Sequence, residues 1–269
     1  MKKYFKFLIL SIIIIFSVFN TYRVNALDQT SRKIVYLTFD DGPSPNNTEN
    51  ILQILNENNV RATFCVVGSN ALRYKEILKQ LNEYNMGIIP HCNNHQYKEL
   101  YSSTEYYIND LNECTRIIND VTGGNRSFRF VRMPGGSDNT VSNYQTLQNI
   151  KSELRKRGMD YIDWSIDSGD TCAAMVPEEQ ITSNIENQAG INNIEVILMH
   201  DLENKVTTTS ALQDIIIKYK SLGYEFKTFD EMEEWEVQYL IGKHVIDKWF
   251  KCIIKNELIS VYILILAHL

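Results

Sequence analysis

Two adjacent carboxylates, Asp40 and Asp41, stand in the segment Thr38-Phe39-Asp40-Asp41-Gly42-Pro43. Side by side they repel, and a nearby cation removes that cost. Asp-Gly-Pro is also good turn chemistry, so alone the segment reads equally as a turn. Further on, His91-Cys92-Asn93-Asn94-His95 spaces two imidazoles four residues apart. On a helical turn both rings would share one face and reach one metal ion. Zinc favours such ligands. Two unrelated loop histidines are the plainer reading of an isolated HxxxH. Joined by a carboxylate, the pair becomes a two-His, one-Asp site with an open position for water.

Three later segments add proton-handling groups. Arg132 precedes Met133-Pro134-Gly135-Gly136, Asp167 and Asp170 follow Trp164, and Leu198-Met199-His200-Asp201 closes an apolar run. Each has an ordinary explanation: a salt-bridge arginine, turn aspartates, a capped strand. Their joint placement carries more weight, because parallel α/β folds gather their sites at the carboxyl ends of strands. His91, His95 and His200 all fall at such ends, whereas His244 and His268 lie in the tail and read as structural.

The elements that must position these groups are legible as alternation. Strand candidates are Ile34–Phe39, Ala62–Gly68, Met86–His91, Phe128–Met133, Tyr161–Asp167, Glu195–His200 and Tyr224–Phe229. Each is short, rich in β-branched or aromatic residues, and bounded by polar or glycine-containing stretches. Helical spacing appears between them, in Ile51, Leu52, Ile54 and Leu55, then Leu72, Ile77, Leu78 and Leu81. It returns in Ile108, Leu111, Thr115 and Ile118, and in Leu212, Ile215, Ile216 and Tyr219. Such alternation predicts an α/β fold with about seven parallel strands, a distorted, incomplete (β/α) barrel. An open doubly wound sheet is the alternative. Asp40 and Asp41 after the first strand would repel a phosphate, and no glycine-rich phosphate fingerprint is present.

Met1 to Ala26 reads as a secretory signal: Lys2, Lys3 and Lys6 precede an apolar run, Phe7 to Phe19, and Val24-Asn25-Ala26 suits cleavage. An uncleaved membrane anchor is the alternative. Residues 27–234 form the expected catalytic domain, and residues 235–269 an extension of unknown role. That extension ends in an apolar run, Leu258 to Leu269, too short to span a bilayer. It is expected to pack on the barrel or lie on a membrane surface. The net charge of −6 argues against nucleic acid as a partner. Apolar and charged fractions of 44% and 22% argue against disorder. Five cysteines without a CxxC pair give no zinc-ribbon or thioredoxin motif.

The ordered set TFDDGP, HCNNH, RMPGG, DWSIDSGD and LMHD resembles the NodB-homology polysaccharide deacetylases, carbohydrate esterase family four. The likeness runs from about Ile34 to Phe229. It implies a distorted (β/α) barrel and a secreted or wall-associated enzyme that hydrolyses N-acetyl groups of peptidoglycan amino sugars. By resemblance, Asp41, His91 and His95 hold a divalent metal, zinc by default, with cobalt, nickel or manganese as alternatives. Asp40 is then the general base, Arg132 steadies it, and His200 is the general acid. Asp170, or in second place Asp167, pairs with His200. Trp164 and Leu198 line the acetyl pocket, and Pro134 and Gly135 carry a backbone donor to the substrate.

Departures from the family pattern fall on substrate contacts. Cys92 replaces a hydroxyl residue, Gly135 replaces an aromatic one and so removes a wall of the sugar site, and Thr171 replaces a tryptophan. Alternative substrates are chitooligosaccharide, poly-N-acetylglucosamine and O-acetyl xylan. Competing functions are a non-catalytic glycan-binding wall protein and a different metal-dependent amidase. The resemblance implies an acetylated glycan as partner, and membrane contact only through an uncleaved signal or the C-terminal tail. It leaves oligomeric state open.

Overall fold

The computed structural model describes residues 31–248. The expected signal, Cys252, His268 and the run Leu258 to Leu269 lie outside the described residues. The chain alternates strand and helix: β1 (Ile34–Asp40), α1 (Asn47–Glu57), β2 (Thr63–Val67), α2 (Gly68–Arg73), α3 (Lys75–Glu83) and β3 (Gly87–Cys92). There follow α4 (Tyr97–Leu100), α5 (Thr104–Thr122), β4 (Phe130–Val131), α6 (Tyr144–Lys156), β5 (Asp160–Tyr161) and β6 (Ile166–Asp167). The last are α7 (Glu178–Glu186), β7 (Ile194–His200), α8 (Val206–Ser221), β8 (Glu225–Phe226), a 3-10 turn (Phe229–Glu231) and α9 (Glu234–Gly242).

All pairings between these strands are parallel, in the order β3-β2-β1-β7-β6, with β8 beside the start of β1 and β4-β5 as a separate pair. One backbone bond, Arg132 N to Pro90 O at 3.3 Å, joins β3 to β4. The strands therefore run almost round a ring, a distorted and incomplete barrel.

The fifth strand candidate, Tyr161–Asp167, is broken in two. Ile162 N still donates to Val131 O beside β4, but Ser165 N donates to Val196 O beside β7. Between them Asp163 N donates to Val245 O. The chain thus leaves one neighbour for another, because no single strand spans the gap in the ring. Residues 245–247 fill it: Ile246 bridges Ile162 antiparallel, and Asp247 N donates to Tyr161 O at 3.1 Å. The stretch expected as an extension therefore contributes to the barrel wall, and α9 adds Val237 and Leu240 to the interior cluster. Among the described residues no helix is long and apolar enough to cross a membrane.

Strand alternation sorts the core into layers. Val35, Leu37 and Phe39 face outward and pack on Leu212, Ile215, Ile216 and Tyr219 of α8. Each of these four is fully buried, which stabilises by roughly 1.5–3 kcal/mol per large aliphatic side chain. Ile34 and Tyr36 face inward with Ile89, Phe130, Ile162, Val196 and Phe229. Two helical expectations change. Leu72 sits on α2 and is 50% exposed, because the non-helical backbone of Tyr74 (φ −117°, ψ 52°) separates it from Ile77, Leu78 and Leu81 on α3. On α5 the buried position is Cys114, with Thr115 half-buried beside it.

Candidate active site

Inward alternation on β1 continues from Tyr36 through Thr38 to Asp40 at the carboxyl end. Across the pleat, Asp40 is the register partner of His200 on β7 and of Cys65 on β2. Arg132 reaches the same level from the end of β4. Its Nη1 lies 3.2 Å from both Asp40 oxygens, Nε donates to Ile162 O at 2.6 Å, and Nη2 donates to Thr38 Oγ1 and Asp163 O. The guanidinium is wholly buried, so every one of these bonds offsets lost hydration.

Asp41 turns away from its neighbour with φ +82°, in the left-handed region. Asn70 holds its carbonyl at 2.8 Å. Gly42 must be glycine here, since a Cβ would stand 2.0 Å from Asp201 Oδ2. Asp201 accepts Gly42 N at 2.8 Å and Thr48 Oγ1 at 2.6 Å, and its own carbonyl accepts Ser44 Oγ at 2.5 Å. Burial lifts its carboxyl to about 7, against the opposing bond from Thr48. Asp201 thus ties the acidic turn to the end of β7.

The HCNNH segment is not a helical turn. His91 lies one residue before the end of β3 and His95 in the following loop, a bend whose Asn93 and Asn94 amides donate to Asp110 at 2.6 and 3.0 Å. The rings converge because Asp110, on α5, holds that bend. Asp41 Oδ1 lies 3.3 Å from His91 Nε2 and 3.1 Å from His95 Nε2. His91 Nδ1 is 2.7 Å from the Arg132 carbonyl, which can only accept, so Nδ1 carries a proton and Nε2 is the ring atom that faces Asp41. Burial lowers the His95 pKa and favours its neutral form. Asp41 Oδ1 is buried and makes no hydrogen bond. One carboxylate oxygen and two imidazole nitrogens converge here, and such an N, N, O donor set would suit zinc or its neighbours. The histidine proton on a backbone carbonyl is the outer contact metal ligands commonly show.

His200 faces the same cleft. Its Nδ1 lies 2.8 Å from Asp170 Oδ1, and its amide donates to Asp170 Oδ2 at 2.8 Å. Thr208 Oγ1 also donates to Oδ2, and Lys205 Nζ holds the Asp170 and Ala173 carbonyls. Burial alone would lower the imidazole, but the bond and charge of Asp170, with Asp40 and Asp41 nearby, lift it to about 9. Asp167 does not reach His200: it is exposed, lines the cleft, and accepts Gly169 N at 2.8 Å.

The cleft, about 250 Å³, is lined by Asp40, Asp41, His91, His95, Tyr97, Gly135, Trp164, Asp167, Leu198 and His200, with Thr171 at one side. Trp164 lies under the Arg132 guanidinium, 5.5 Å from the ring centroid. After Pro134 the loop spends the Gly136 amide on Met133 O and the Ser137 amide on Asp163. No described residue takes the Gly135 amide. Pro134 itself stays outside the lining, and its carbonyl accepts Tyr101 Oη at 2.7 Å.

Sequence reasoning assigned no role to Asp110, Asp163, Asp201 or Tyr97. A signal existed for Asp110, a carboxylate on the apolar stripe of α5 formed by Tyr107, Ile108, Leu111 and Cys114. Asp163 stood inside an apolar strand candidate, where a charge needs a partner. The four cysteines of the described residues are free thiols, and Cys92 is buried away from the cleft lining.

A family model described as polysaccharide deacetylase matches residues 28–159. A peptidoglycan-N-acetylglucosamine deacetylase of Bacillus cereus is 29% identical over 211 residues, 77% of this chain and 73% of that protein. One of Listeria monocytogenes is 31% identical over 221 residues, 81% of this chain but only 42% of that protein. Among solved structures, the catalytic domain of a peptidoglycan N-acetylglucosamine deacetylase from Eubacterium rectale superposes with a TM-score of 0.68 at 32% identity. That match covers 74% of this chain and 89% of the other.

Proposed function

The chain belongs to the polysaccharide deacetylase family, hydrolases of acetyl groups, and from that premise we propose that it removes N-acetyl groups from peptidoglycan amino sugars at the cell wall. The observation that carries this reading is convergence. An Asp41–His91–His95 triad, a carboxylate held by a buried arginine and an imidazole held by a buried carboxylate open on one cleft.

A divalent cation, when bound by Asp41, His91 and His95, supplies Lewis acidity that polarises an amide carbonyl and activates water at neutral pH. Asp40 takes the proton of the attacking water, its carboxylate aimed by Arg132. The Gly135 amide offers a fixed donor to the developing oxyanion. His200 hands its proton to the departing nitrogen, and Asp170 keeps the ring charged and oriented until then. Leu198 and Trp164 wall the acetyl methyl and keep the site dry.

The test is acetate release from purified peptidoglycan and from chitin oligomers, with zinc, cobalt, nickel or manganese added to chelator-treated protein. Release that stops on chelation and returns with metal supports the reading. Glycan binding without release under every metal defeats it in favour of a binding protein. His95→Ala should lower both metal content and rate, and unchanged metal content in that variant excludes His95 as a ligand.

pH dependence offers a separate check. Folding raises the His200 pKa to about 9, so the stability it contributes is complete below its unfolded value, near 6.5, and is lost as pH rises through about 9. Activity should share that alkaline limit, since the acid must be protonated. In Asp170→Asn the limit should move down toward neutrality, and the rate at pH 8 should fall by about 10–100-fold. An alkaline limb that stays in place would remove Asp170 as the partner.

A further inference from the structure

Gly135 and Gly136 both adopt left-handed backbone, with φ of +75° and +87°. A side chain at 135 would put its Cβ 3.0 Å from Cε1 of Tyr97, and one at 136 would stand 3.1 Å from Cη2 of Trp164. Each glycine is therefore covered by an aromatic ring from a different segment. Tyr97 opens α4, directly after the HCNNH bend. Its ring meets His95 edge-on at 4.9 Å, stacks toward Tyr101 at 6.5 Å, and lines the cleft with Trp164, Leu198 and His200. The Tyr101 hydroxyl donates to the Pro134 carbonyl at 2.7 Å, so α4 and the Pro134–Gly136 loop are tied as one unit.

A side chain at 135 would press on the Tyr97 ring and would need left-handed backbone, so Tyr97 occupies the space beside a glycine. Tyr97 is half-buried and lines the cleft, and its hydroxyl would lie 3.5 Å from a Cβ at position 135. Pyranose rings offer apolar C–H faces edged by hydroxyls, which match an amphipathic ring of this kind. We propose that Tyr97 is the aromatic wall of the sugar subsite, packing on an N-acetylated amino sugar and setting how tightly the glycan is held. This rests on the deacetylase reading above. It means that recognition of the sugar depends on a side chain beside Asp41, His91 and His95, supplied by α4, where the Pro134–Gly136 loop has only backbone.

The test compares Tyr97→Ala and Tyr97→Phe with the parent protein on oligomers of N-acetylglucosamine, with metal content measured for each. The alanine variant should raise KM about tenfold, with kcat within about threefold and metal content unchanged. Phenylalanine should restore KM, since the ring face is kept. An unchanged KM in Tyr97→Ala overturns the proposal. So does a fall in kcat that tracks lost metal, which would make Tyr97 a prop for His95. So does a phenylalanine variant as poor as alanine. If the parent protein releases acetate from no glycan, the deacetylase reading itself fails. Calorimetric titration of the oligomers into parent and Tyr97→Ala then still decides, with equal affinities counting against the wall.

Discussion

Asp40→Asn should lower acetate release by about 10²–10⁴-fold while leaving bound metal at its parent level. The amide keeps the size of the carboxylate but cannot take a proton at neutral pH. Asp41, His91 and His95 are untouched, and Asp41 points elsewhere because of its left-handed backbone. The change also leaves the Arg132 guanidinium without its buried counter-charge, so some loss of stability should accompany it. Turnover, metal content and a thermal melt must therefore be read together. A variant that melts near the parent temperature, keeps its metal and still turns over within a few-fold would remove Asp40 as the base.

Arg132→Met should be the most damaging change to stability, about 3–5 kcal/mol. The apolar side chain fills similar space but abandons a buried carboxylate. The carbonyls of Ile162 and Asp163 also lose their donor in the place where the fifth strand is already broken. Urea denaturation would record this as a lower midpoint. Lysine should not rescue it, because one ammonium cannot span Asp40, Thr38, Ile162 and Asp163 as the planar fork does. Adding Asp40→Asn to Arg132→Met should cost less than the two single changes summed, since the second removes the charge the first stranded. Strict additivity, or a lysine variant equal to the parent in midpoint and turnover, would contradict the assignment.

Read alone, the chain settles much of this protein. Short runs rich in β-branched or aromatic residues mark the strands, and period-3.6 runs between them mark the helices, which points to a parallel arrangement with its site at the strand ends. Asp40 and His200 face the same cleft because each sits an even number of residues from an inward apolar position, Tyr36 and Val196. Such local periodicity is a property of covalent geometry and needs no knowledge of neighbours. What tertiary structure alone decides is everything set by residues far apart in sequence. The break at Asp163 follows from a gap between β4 and β7 that residues 245–247 fill. The convergence of His91 and His95 follows from Asp110 on another element, not from a helical turn. Asp170 and Asp167, ranked first and second as partners of His200 by resemblance, part company because only Asp170 falls within reach of His200 and Thr208. Gly135, which in isolation looks like a missing wall, lies beneath Tyr97 once the bend and the loop are packed together. In each case the deciding term is a hydrogen bond or a contact distance across the barrel. No local pattern encodes such a term, because its partner is chosen only when the ring of strands closes.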